Sequence, residues 1–311
     1  MHRRDFALGL GAALLPGCRV AAPPVPAPPD ASAGQGAALR VGGCAFTLVP
    51  QGHDPLPLPL LRAWVERAAG MIADYYRGEF PVPGLQVTLI AGAGRGVGFG
   101  SHQDGRWVRV HYGRHSSAQH FERDWVMVHE LLHATFPDLP DHQRWMQEGL
   151  STYLEPIVRV RGGATTEARM WQRWLPRMHH GRPQSGDEGL DRTHTWGRTY
   201  WGGTLFWLMV DLQLRIATEG QRSIRDVVVA IARAGGNGRA SWNAAQVCEH
   251  ADAATQTTLV STLYDQLARN PGDVDLDALW SQLGVSLSPG DAVAFDDGAP
   301  LAALRRALVR A

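Results

Sequence analysis

A chain of 311 residues, 44% of them hydrophobic, is long enough for one large domain or two closely packed lobes around a substantial core. Its 30 basic and 30 acidic side chains cancel to a formal net charge of zero, which excludes a nucleic-acid binder that relies on a basic surface. The 35 glycines and 20 prolines imply many loops, and the 11 tryptophans imply a core or cleft rich in large rings.

Residues 1–18 read as an export signal. His2-Arg3-Arg4 is a basic start, and the apolar stretch from Phe6 to Leu15 is too short to span a bilayer as a helix. Arg3-Arg4-Asp5-Phe6 has the twin-arginine pattern. Leu15-Pro16-Gly17-Cys18 resembles a bacterial lipobox, in which the cysteine receives lipid. Pro16 is unusual in that position, so simple cleavage after Ala21 or Ala22 is the other reading. The expectation is a periplasmic or envelope-anchored protein that touches the membrane only through a lipid anchor at Cys18. Residues 19–38, rich in Pro, Ala and Gly, read as a tether, and residues 39–311 as the catalytic domain. Two further cysteines, Cys44 and Cys248, leave two readings open: a disulfide formed after export, or two buried thiols.

The stretch Leu39 to Val49 predicts an opening strand. Leu60, Leu61, Trp64, Val65, Ala68, Ile72 and Tyr75 follow helical spacing to about Arg77. Leu85 to Ala91 and Arg106 to Tyr112 predict strands, separated by the glycine-rich turn Gly92 to Gly100. That turn lacks the Lys-Ser/Thr of a phosphate loop. After Ser116 the pattern becomes helical. One helix ends near Phe136-Pro137 and a second runs from Arg144 to about Val158. Further helices are predicted over Thr165–Leu175, Thr199–Ala217, Ser223–Ala234, Gln256–Arg269 and Asp275–Leu283, with a short one near the end. The fold class is therefore α+β: a strand-rich lobe over 39–115, then a mainly helical lobe over 116–311.

The most informative phrase is His129-Glu130-Leu131-Leu132-His133. On a helix the two histidines stand one turn apart on one face, where both imidazoles can reach one zinc ion. Glu130 is offset enough to miss the metal yet close enough to touch a water bound to it. Zinc held by two histidines needs a third protein ligand and leaves a position for water. Glu148, separated from His133 by fourteen intervening residues and flanked by Met146, Gly149 and Leu150, is the best candidate. Thr152 and Glu155, one and two turns further on, are candidates either for supporting that ligand or for packing.

His-Glu-x-x-His followed by Trp145-x-x-Glu148-Gly149-x-x-x-Tyr153-x-Glu155 resembles the gluzincin metallopeptidases, and most closely the glycyl and alanyl aminopeptidase families. The resemblance implies a thermolysin-like zincin domain, one Zn2+ held by His129, His133 and Glu148, and a peptide or protein substrate. Tyr200-Trp201-Gly202-Gly203 is similar to the Tyr-x-Lys-Gly helix of those families, which implies that Tyr200 supports the oxyanion; His194 is a further candidate donor. Three departures stand out. The ligand spacer is shorter than in the alanyl aminopeptidases, and Gly202 replaces the usual Lys. No Gly-x-Met-Glu-Asn segment is present to hold a free amino terminus: Gly96-Val97-Gly98-Phe99-Gly100-Ser101, where that edge strand is expected, has no glutamate. The implied activity is hydrolysis by a metal-activated water with Glu130 as general base. The competing reading is a non-catalytic zincin-fold lipoprotein that binds peptides or a partner protein.

Overall fold

In this computed structural model residues 37–310 are described. The export signal, the lipid anchor at Cys18 and the tether up to residue 36 lie outside the described residues. The opening stretch is a hairpin rather than one strand: β1 (Ala37–Val41) pairs antiparallel with β2 (Cys44–Gly52), and Val41 faces Cys44 across Gly42-Gly43. Both glycines have positive φ, 52° and 82°, as a two-residue turn matched to the strand twist demands. The alternating apolar pattern continues through the turn, so it reads as one strand in sequence.

α1 (Leu58–Tyr75) leads to β3 (Gly84–Gly92), parallel to β2. β4 (Val97–Gln103) and β5 (Trp107–Gly113) complete a five-stranded sheet in the order β1-β2-β3-β5-β4. β4 pairs antiparallel with β5 and forms an edge. The glycine-rich turn expected before Gly100 is thus half turn and half strand. Leu85, Val87 and Leu89 of β3 are buried, as are Leu61, Trp64, Val65, Ala68 and Ile72 of α1.

Helices dominate from there: α2 (Ala118–Glu122), α3 (Val126–His133), α4 (Arg144–Arg161), α5 (Glu167–Trp174), and α6 (Gly203–Ala217), which is entered through a π-helical turn over Gly197–Gly202. α7 (Ile224–Arg233), α8 (Ala244–Thr255), α9 (Leu259–Leu267), α10 (Leu276–Leu283), the small hairpin β6 (Val285–Leu287) and β7 (Val293–Phe295), and α11 (Ala302–Val309) follow. The helix expected from Gln256 starts instead at Leu259. Gln256 is left-handed, at φ 57°, and closes the unforeseen α8. The architecture is α+β, with the sheet first and the helices after it. Cys44 and Cys248 are free buried thiols rather than a disulfide.

Two local devices hold the elements that carry the candidate residues. The Asp124 carboxylate accepts hydrogen bonds from the Val126 and Met127 amides at 2.8 and 3.0 Å, which caps α3, and from Trp64 Nε1 of α1 at 2.9 Å. All eight residues of α3 are buried. α4 and α6 meet backbone to backbone at Gly149 and Gly203: a Cβ on Gly149 would stand 2.3 Å from the Gly203 carbonyl carbon, and one on Gly203 would stand 2.2 Å from the Trp145 oxygen. Only glycine fits at either position.

Candidate metal centre

α3 turns both histidine side chains toward α4, and three ligand-type atoms converge. His129 Nε2 and His133 Nε2 are 3.3 Å apart, and Glu148 Oε2 lies 3.5 Å from the first and 3.3 Å from the second. All three residues are buried. A tetrahedral ion with bonds of about 2.0–2.1 Å separates its ligand atoms by roughly 3.3–3.4 Å, so the triangle has the size that zinc requires. Two imidazoles and a carboxylate are also a donor set that zinc accepts. Burial first, then the neighbouring His102, push His133 down to about 4, which leaves its ring neutral with a free lone pair. Both Nδ1 atoms are buried and have no hydrogen-bond partner among the described residues, so it is the Nε2 edges that face the shared point.

Arg144, one helical turn before Glu148, was not singled out in the sequence. Its Nε and a terminal nitrogen donate to Glu148 Oε1 at 3.3 and 3.1 Å. The carboxylate is thereby divided, with one oxygen bound by the guanidinium and the other facing the histidines. Burial works to lower the Arg144 guanidinium, but the Glu148 carboxylate more than reverses it. Burial likewise works to raise Glu148; the facing imidazoles outweigh it and hold the carboxyl well below the usual range. The signal for Arg144 was available, since i and i+4 on a helix are neighbours.

Glu130 stands outside the triangle. Its Oε2 lies 3.3 Å from Nδ1 of His102, on the edge strand β4. His102 also stacks on His133, with ring centres 3.7 Å apart and planes at 17°. The strand approaches this closely because residue 100 is glycine: a Cβ there would sit 2.4 Å from Glu130 Cγ. Burial tends to raise Glu130, but the His102 hydrogen bond first, then the other histidines around it, prevail and lower it, so the carboxylate is ionised. His102, Glu130 and His133 lie within ligating reach of one another as well. Stacked parallel rings, however, hold their nitrogen lone pairs side by side rather than convergent, and the first set is the better cage. No spacing rule links residue 102 to residue 130, so sequence reading missed His102.

Tyr200 sits in the π-helical turn just before Gly203, so the Gly149–Gly203 contact carries it to Glu148. Burial first, then the Glu148 and Glu130 carboxylates, push its hydroxyl up to about 12, so it stays protonated as a donor near neutral pH. π-helical turns recur at functional sites because they shift one side chain out of helical register. His194 is exposed, and its Nε2 lies 3.0 Å from the Asp191 carbonyl oxygen; it forms no hydrogen bond with the other site residues among those described. Glu155 is completely buried and bound by Arg159 and Arg173 at 2.8 and 2.7 Å. It anchors α4 to α5 and forms no hydrogen bond with His129, His133 or Glu148 among the described residues. The edge strand Val97–Gln103 that lies over Glu130 contains no carboxylate.

No protein-family model matches this chain, and no curated protein sequence does. Solved structures do. An aminopeptidase N family protein from Idiomarina loihiensis superposes with a TM-score of 0.62 at 16% identity, over 81% of this chain and 49% of that one. A variant of a two-domain M1 zinc metallopeptidase bound to L-arginine gives 0.50 at 17% identity, over 76% and 53% of the two chains. An M1 zinc metallopeptidase variant from Deinococcus radiodurans, bound to a Tyr-Ser-Ala substrate, gives 0.50 at 15% identity, over 75% and 51%. This chain spans about half the length of the solved proteins it matches. With the metal-sized triangle on two adjoining helices, these likenesses establish that the chain has a gluzincin peptidase-like fold.

Proposed function

We propose that this protein is a zinc-dependent peptidase in which His129, His133 and Glu148 hold one Zn2+ and Glu130 is the general base. The observation that carries the reading is the triangle of ligand atoms at 3.3–3.5 Å with an ionised carboxylate beside it but not in it. When bound, the ion would supply a Lewis acid and an acidified water. Glu130 takes a proton from the attacking water and passes it to the leaving amine. Tyr200 donates a hydrogen bond where negative charge develops on the carbonyl oxygen, a position occupied by charge only in the transition state. Arg144 keeps Glu148 ionised and aimed, and His102 fixes the Glu130 carboxylate from the strand side. The same reading extends to an exported, envelope-anchored protein lipidated at Cys18, for which the sequence alone is the support; a Cys18→Ser variant that still incorporates labelled lipid would end that part.

A digest of a peptide library by the zinc-loaded protein, comparing free with blocked amino termini, tests the activity. Cleavage in either set supports the peptidase. Stoichiometric zinc with no cleavage in either would favour the non-catalytic binder.

A further inference from the structure

Far along α4 from Glu148, the ends of five helices meet around a cavity of about 310 Å³ lined by five arginines: Arg77, Arg161, Arg215, Arg225 and Arg310. Asp226 is the one acidic residue in that lining. Two arginines have carboxylate partners: Arg77 bonds Asp226 at 2.6 Å, and Arg215 bonds the buried Asp211 at 2.9 Å. Both acids accept further hydrogen bonds. The second oxygen of Asp226 accepts from the Ser223 amide and hydroxyl, and Asp211 also binds Tyr153 and the Ile224 amide.

The other three arginines form no ion pair among the described residues. Arg225 donates to the Asp74 and Tyr75 carbonyls at 2.8 Å each, and Arg161 donates to the Arg310 carbonyl. Arg161 and Arg225 flank the same Tyr75 ring, at 5.4 and 5.8 Å from its centre. Arg161 Nε is buried without a hydrogen-bond partner. Arginines that cap the carbonyl ends of helices are common, and that role accounts for where Arg225 points. It does not account for the unpartnered Arg161 Nε, nor for five guanidiniums lining one cavity with a single carboxylate in that lining. Burial first and the Arg225 charge second lower the Arg161 guanidinium, against the opposing Tyr75 and Asp74.

We propose that this pocket binds a phosphoryl group, as a phosphate or phosphate monoester or as the headgroup of an anionic phospholipid. Guanidinium forks match phosphoryl oxygens two at a time, and three guanidiniums with no ion pair among the described residues favour a multiply charged anion over a simple carboxylate. The proposal is independent of the peptidase reading, because none of these residues touches the candidate metal centre.

The test is calorimetric titration of the full chain with inorganic phosphate against chloride at matched ionic strength, together with flotation on phosphatidylcholine vesicles with and without phosphatidylglycerol. Saturable phosphate binding, weakened about tenfold or more in Arg161→Gln and in the exposed Arg310→Ala, supports a soluble phosphoryl ligand. Vesicle binding that needs phosphatidylglycerol and falls in the same variants supports the headgroup. Retention of the phosphate signal in Glu148→Ala separates this pocket from phosphate captured by a metal. Neither phosphate nor vesicle binding in the unmodified protein, or binding unchanged in Arg310→Ala, overturns the proposal.

Discussion

Glu148 and Glu155 lie two turns apart on α4, and both are buried, yet they sit in opposite electrostatic circumstances. Glu155 is clamped by two guanidiniums, Arg159 and Arg173, one on each oxygen. Its negative charge is fully matched inside the protein, and the result is a bolt between α4 and α5. Glu148 has one guanidinium on one oxygen, while the other oxygen faces two imidazoles, of which His133 is held neutral. A second carboxylate, Glu130, lies close by. That region is short of positive charge where Glu155 is not, and its geometry leaves room for one small cation. Burial of an acid is therefore uninformative by itself; the partners on each oxygen distinguish a structural carboxylate from a candidate ligand.

The comparison can be broken most sharply at the base. Glu130→Gln keeps the triangle intact, so zinc content should be unchanged while peptide hydrolysis falls on the order of 10³-fold; variant turnover close to the original would remove Glu130 from the mechanism. The second experiment sets the two glutamates against each other. Glu155→Ala removes the carboxylate partner of the buried Arg159 and the half-buried Arg173 and should cost roughly 3 kcal/mol of unfolding free energy with metal content preserved. Glu148→Ala should show the reverse pattern, lost zinc after dialysis with a much smaller change in denaturant midpoint. If both variants lose metal equally and stability equally, the distinction fails.

Smaller effects sharpen the picture. Tyr200→Phe removes one hydrogen-bond donor and should lower kcat about 10²-fold with little change in KM. A fall confined to KM would assign Tyr200 to substrate binding instead. Arg144→Gln frees the second oxygen of Glu148, and zinc affinity measured by competition with a chelator should drop about tenfold. No change would mean that the imidazoles alone orient the carboxylate.

The helix that carries the candidate ligands was legible because its information is local: His129, Glu130 and His133 define their own geometry once a helix is granted. Glu148 was legible by its immediate neighbours, and Gly149 announced the close approach that Gly203 completes. What escaped was information carried by tertiary register. His102 reaches Glu130 only because β4 pairs with β5, and β4 itself was obscured by its glycines, of which Gly100 permits the close approach to Glu130, since glycine lowers strand propensity. The π-helical turn holding Tyr200 read as ordinary helix for a similar reason: its composition is helical and its register shift is not written in residue types. α8, by contrast, carried a readable start, the Asn243–Gln246 capping box, which its alanine-rich, weakly patterned body concealed.

The backbone contact between Gly149 and Gly203 also acts as a mechanical joint. The carboxylate of Glu148 hangs from one side of it and the phenol of Tyr200 from the other, separated by little more than two peptide planes in van der Waals touch. Because the two backbones already touch there, α6 has no room to move closer to α4 at this point, and the contact sets a lower limit on the spacing of the elements that carry both groups. A methyl group at either glycine would work as a shim, prying apart two side chains that it never touches.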